Sequence, residues 1–155
     1  MIENMSLLDL CDGVGMSPKP YEIHSKIAAY ITTWFVEKLE IQGKDDYWCT
    51  PENPVTKDRN GKTPDVSIVD DDSTPCVIIE ITNQKMVKQI IQKCKEEYLP
   101  LFPNAEIFVL NYTKTEWTSI HDNEFESYYC KFINGCIDDA IPWKKLKKAH
   151  SAFFE

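Results

Sequence analysis

Two acidic side chains, Asp65 and Glu80, lie in neighbouring segments whose composition predicts β-strands, Thr63 to Asp70 and Pro75 to Thr82, with an acidic turn between them. If the strands pair antiparallel around a turn centred between Asp72 and Ser73, Asp65 stands directly opposite Glu80. On that register Asp65, Ser67 and Val69 share a face with Cys76, Ile78, Glu80 and Thr82. Val66, Ile68, Val77, Ile79 and Ile81 then form a uniformly apolar face for the core. Opposed residues have Cβ atoms about 4.5–5.5 Å apart, so two like charges destabilise the sheet unless something compensates them. A hard divalent cation with oxygen ligands, Mg²⁺ or Mn²⁺, is a natural compensator. Two readings stand at this level. Either the acids share a metal, or Asp65 caps its strand after Pro64 and Glu80 lies on a solvated face, as a slip of one residue would allow.

The elements that must position this pair can be read around it. From Pro20, Ile23, Ile27, Ile31, Trp34, Phe35 and Leu39 recur at three-to-four residue spacing, which predicts a long helix ending near Gly43. Tyr47 to Thr56 predicts a strand that Pro51 and Pro54 confine to a sheet edge. Lys57 to Lys62, with Asn60-Gly61, reads as a loop. Gln84 to about Leu99 predicts a second helix, with Val87, Ile90, Ile91, Cys94 and Tyr98 on one stripe and Lys85, Lys88, Gln92 and Lys95 opposite. Pro100 and Pro103 stop it, and Ala105 to Tyr112 has the apolar run of a buried central strand, parallel to the one before the helix. Further strands are expected at Glu116 to Ile120 and Ser127 to Ile133, a terminal helix from Ile141, and a short helix around Leu7 to Leu10. The sum is a single α/β domain over residues 1–155, a mixed β-sheet flanked by helices.

Composition narrows the function classes. The chain of 155 residues is 43% hydrophobic, an ordinary globular balance. Its net charge of -8 argues against non-specific coating of nucleic acid. Six cysteines without a CxxC pair suggest neither a disulfide framework nor a zinc knuckle. No apolar run reaches the roughly 20 residues of a membrane span, so a soluble, cytoplasmic protein with no membrane partner is expected. No GxxxxGK[ST] or GxSxG motif is present, which sets aside an NTPase or an elbow serine hydrolase.

The run Thr63-Pro64-Asp65-Val66-Ser67-Ile68, followed by Val77-Ile78-Ile79-Glu80-Ile81-Thr82, resembles the core of the PD-(D/E)XK nuclease superfamily, particularly its small bacterial restriction-endonuclease-like members. The resemblance covers about residues 20 to 112 and includes the order of elements: helix, three-stranded meander, helix, strand. It implies a restriction-endonuclease-like core and a metal-dependent nuclease that hydrolyses phosphodiester bonds in DNA with Mg²⁺ (or Mn²⁺). Asp65 and Glu80 would bind the metal, with the Ile81 carbonyl a further ligand. The family pattern places a Lys two residues after the second acid, where this chain has Thr82. The resemblance therefore implies either a lysine moved to the following helix, Lys88 in first place and Lys85 in second, or an inactive nuclease fold serving as a binding or assembly module. Glu22, at the start of the first helix, would support the metal or else interact with the helix dipole. His24 beside it is the weaker candidate, as a general base.

Three basic groups bear on substrate. Lys57, Arg59 and Lys62 enter the Asp65 strand, and Lys85, Lys88, Lys93 and Lys95 ride the next helix, where they could track phosphates. Lys144, Lys145, Lys147 and Lys148 read as the solvated face of an amphipathic terminal helix. Tyr128 and Tyr129 are candidates for a homodimer interface or for ordinary strand packing.

Overall fold

The computed structural model describes residues 19–55, 62–120 and 141–154. The expected strand at Ser127 to Ile133, the tyrosines Tyr128 and Tyr129, the short helix at Leu7 to Leu10, and Lys57 and Arg59 lie outside the described residues. What is described is an α/β arrangement: a five-stranded mixed sheet with helices against it. None of the described helices is long and apolar enough to cross a membrane.

Helix α1 (Lys19–Ile41) places Ile23, Ile27, Ile31, Phe35 and Leu39 one above the next on a single buried stripe. It stops at Gly43, whose φ of +67° is left-handed. There the Lys44 N–H reaches the Leu39 carbonyl at 2.9 Å and the Gly43 N–H reaches that of Glu40 at 3.0 Å. This paired closure satisfies two of the carbonyls that a helix end otherwise leaves open.

The sheet runs in chain order, β1 (Trp48–Pro51), β2 (Val66–Val69), β3 (Pro75–Thr82), β4 (Glu106–Asn111) and β5 (Glu116–Ser119). Every neighbouring pair is antiparallel except β3 and β4, which are parallel and joined through a helical crossover. Among the described strands β1 borders only β2, in keeping with its one proline, Pro51.

The hairpin register matches the sequence expectation where it matters. Val66 pairs with Ile79, Ser67 with Ile78 and Ile68 with Val77, so the next step outward sets Asp65 against Glu80. Towards the tip the register shifts between Ile68 and Val69, and Val69 meets Pro75. Asp70 builds the tip. Its Oδ1 accepts the Asp72 and Thr74 N–H groups, both at 2.9 Å, and Ser73 takes φ +63°.

Both faces of this hairpin are buried, and only one was expected to be. Val66, Ile68, Val77, Ile79 and Ile81 pack with the α1 stripe. On the other side Ile78, Ile107 and Val109 pack with Cys94 and Tyr98 from the crossover. That crossover differs from the single helix predicted over Gln84 to Leu99. Asn83 holds the Met86 N–H through both its carbonyl and its Oδ1, so helix α2 (Val87–Lys93) starts later. It then widens into a π-helical turn, Cys94–Tyr98, closed by the Leu99 N–H on the Cys94 carbonyl at 2.9 Å. The terminal helix is present as α3 (Trp143–Ala149), followed by a 3₁₀ turn at Ser151–Phe154.

Candidate functional site

Asp65 and Glu80 meet at the open end of the β2–β3 hairpin and are tied to each other by backbone. The Asp65 N–H donates to Glu80 Oε2 at 3.0 Å, and the Ile81 N–H donates to Asp65 Oδ2 at 2.6 Å. Each carboxylate thus accepts an amide from the other's strand, which fixes both orientations. Glu80 is only 4% exposed, so the alternative of a solvated strand face does not hold.

Each acid also receives a cationic or proton-carrying side chain from a different helix. His24 of α1 lies with Nε2 at 2.9 Å from Asp65 Oδ2. Lys93, the last residue of α2, donates from Nζ to Glu80 Oε1 at 2.9 Å. The lysine is further held 5.5 Å above the buried Tyr98 ring. The like charges on the hairpin are therefore compensated, in this structure, by the protein's own groups.

The electrostatics follow from burial and from this pairing. Burial pushes the Glu80 carboxyl above its usual range and the charge on Asp65 adds to the push, while Lys93 and the Asp65 N–H pull the other way without cancelling it. Burial disfavours the ammonium of Lys93, but Glu80, Asp65 and Glu97 together hold it above its usual value. For His24 burial again opposes the charged form. The hydrogen bond and charge of Asp65, with Glu80 and Glu52 behind them, outweigh it and raise the imidazole above 6.5. Nearby Cys94 is pushed up to about 12, chiefly by burial, and stays an unreactive thiol.

A cleft of about 370 Å³ opens beside Asp65, lined by His24, Glu52, Asp65, Ile81, Thr82, Asn83 and Tyr112. Glu52 enters it because the chain leaves β1 through a left-handed residue: Glu52 has φ +46° and its N–H donates to the Asp65 carbonyl at 3.0 Å. The cleft thus holds two carboxylates, those of Asp65 and Glu52, and buried Glu80 does not line it.

Not every residue singled out from the sequence belongs to this cluster. Asp65 and Glu80 come together on the expected register, and Ile81 joins them through its N–H on Asp65, where the resemblance implied its carbonyl as a ligand. The lysine that answers Glu80 is Lys93, and Lys88 and Lys85 are exposed, Lys85 in a neighbouring cleft. Glu22 is likewise exposed and faces a separate cleft with His150 and Phe153. Sequence reasoning missed Glu52 altogether, and only the adjacent Pro51 hinted at a chain reversal there.

Among the described residues, no group of three or more His, Cys, Asp or Glu side chains gathers as a metal-holding set. Neither a scan against family models nor a search of curated proteins finds a match for this chain.

Proposed function

We propose that the chain is a metal-dependent phosphodiesterase acting on DNA, built on a restriction-endonuclease-like core. The observation that carries this reading is Lys93 Nζ at 2.9 Å from Glu80 Oε1. A lysine supplied from the helix gives the acid pair the cation that Thr82, at the motif position, lacks. The hairpin register supports the same reading, since it brings Asp65 and Glu80 together.

The donor set suits a hard divalent ion. Both donors to Asp65 among the described residues fall on Oδ2, which leaves Oδ1 for a ligand, and Glu52 lines the same cleft. Mg²⁺ keeps several waters and takes one or two carboxylates, so an all-protein cage is not required. Asp65 and Glu80 would hold the ion, which when bound supplies charge stabilisation at a phosphate oxygen. The remaining work falls to the protein. His24 orients the Asp65 carboxylate, and Lys93 offsets the charge of Glu80 as an anionic phosphate approaches.

A second reading is favoured by the protein's own donors. Because His24, Lys93 and two amides give each acid two partners, the cluster can serve as a clamp in a non-catalytic nuclease-fold module. Incubation of the purified chain with single- and double-stranded DNA separates the two. Catalysis predicts cleavage with Mg²⁺ or Mn²⁺ that is abolished by EDTA and by Asp65→Ala. No cleavage of either substrate, together with calorimetry showing no divalent-ion binding, would leave the module.

A further inference from the structure

We propose that the cleft next to the acid pair binds a single unpaired nucleotide of the substrate strand. The class of ligand rests on the phosphodiesterase reading, while the cleft is defined independently by its own residues. About 340 Å³ in volume, it is lined by Asn83, Gln84, Lys85, Tyr112, Thr113 and Phe153. Asn83 and Tyr112 also line the cleft beside Asp65, so a chain lying across Asp65 continues into it.

Its groups are arranged to receive a nucleotide. The Gln84 side chain is oriented by Asn111, whose Nδ2 donates to its Oε1 at 2.8 Å, and its backbone N–H donates to Thr113 Oγ1 at 3.2 Å. Buried Asn111 is itself held by the Thr113 N–H on its Oδ1 at 3.1 Å. With its oxygen engaged, Gln84 presents its Nε2 donors to a base carbonyl or a phosphate oxygen. Lys85 is exposed and supplies a cation for the phosphate. Phe153, half-buried, gives an apolar surface on which a base can stack.

Two features set the strand form and the extent. A base reaches Phe153 only when it is free of its own duplex stack, and the net charge of -8 disfavours recognition by phosphate contacts alone. The cleft's volume of about 340 Å³ and its one Phe ring set the extent at a single nucleotide.

The test is fluorescence anisotropy with the whole chain, a labelled oligothymidylate and a duplex of equal length, in low-salt buffer with EDTA so that no cleavage intervenes. The single strand is expected to bind more tightly than the duplex. Phe153→Ala should weaken it by about 5- to 150-fold, the range for loss of one stacked base, and Phe153→Tyr should keep it. Lys85→Glu, at an exposed position that leaves folding intact, should weaken binding and lower its salt dependence. Unchanged binding by Phe153→Ala and Lys85→Glu, equal affinity for the duplex, or no binding of the single strand would overturn the subsite. If the wild type binds through Phe153 and Lys85 yet cuts nothing, the subsite stands and the hydrolase reading falls.

Discussion

The two faces of the β2–β3 hairpin pack against helices of unlike character. Against α1 the contact is continuous and apolar, from Ile23 to Leu39 over Val66, Ile68, Val77 and Ile79, all buried. Against α2 the helical residues Val87–Lys93 include none that is fully buried, and the face beneath carries Ser67 and Glu80 as well as Ile78. Ser67 Oγ and the Tyr98 hydroxyl are buried there without a hydrogen-bond partner among the described residues. The α1 side supplies most of the apolar packing and also His24, whereas the α2 side supplies Lys93 and the buried polar groups that weaken it.

The contrast is broken most severely by Phe35→Ala on the α1 side. Removal of this buried ring should cost about 3–5 kcal/mol in urea unfolding, while the DNA cleavage proposed above should be unchanged per folded molecule. Equal losses of stability and of rate per folded molecule would show that the faces are not independent. Lys93→Met on the α2 side should do the reverse. Cleavage should fall about 10²–10³-fold, as for loss of one positioned charge donor, and stability by only about 1–2 kcal/mol, because the lysine is partly solvated. Retained cleavage in this variant would remove Lys93 from the site.

A smaller effect is expected from pH. The folded protein holds the His24 proton above its ordinary value of 6.5. Its contribution to stability is therefore full below about pH 6.5 and is lost as pH rises through the higher folded value. Thermal melts taken from pH 6 to pH 9 should fall in the wild type and fall less in His24→Gln. Identical slopes would mean that Asp65 does not grip the imidazole. Smallest of all, Ser67→Ala should be neutral or should stabilise by up to about 1 kcal/mol, since it removes a buried hydroxyl that lacks a partner. A clear loss of stability in chemical denaturation would place an ordered water on that hydroxyl.

Much of this arrangement was legible from residue order, because strands and turns obey short-range rules. A turn centred between Asp72 and Ser73 was assumed, and on that register the two carboxylates meet. The actual tip sets Val69 against Pro75, one residue off that assumption, and the shift between Ile68 and Val69 is what brings Asp65 opposite Glu80. Lys93 was harder to see. Lys88 is the more obvious choice on a helical wheel, but five residues of α-helix turn the chain by about 500°, so Lys93 points some 140° away from it. It lies one turn from Ile90, at the border of the apolar stripe, where a long stem can lie over Tyr98 and reach a buried acid. Glu52 was illegible for a different reason. Its position depends on a single left-handed residue after a short edge strand, a local reversal with no periodic signature.

The π-helical turn at Cys94–Tyr98 has a consequence for how this protein tolerates change in length. Such a turn contains one residue more than an α-turn. Loss of a single residue among Lys95, Glu96 and Glu97 would let this turn revert to ordinary winding with little relative rotation of the two halves, so that Lys93 and the anchored Tyr98 keep their places. Loss of a residue from the α-helical stretch Val87–Lys93 has no such slack and would turn what precedes it by about 100°. The crossover thus tolerates a change in length at its wide turn and nowhere else along its described helical residues.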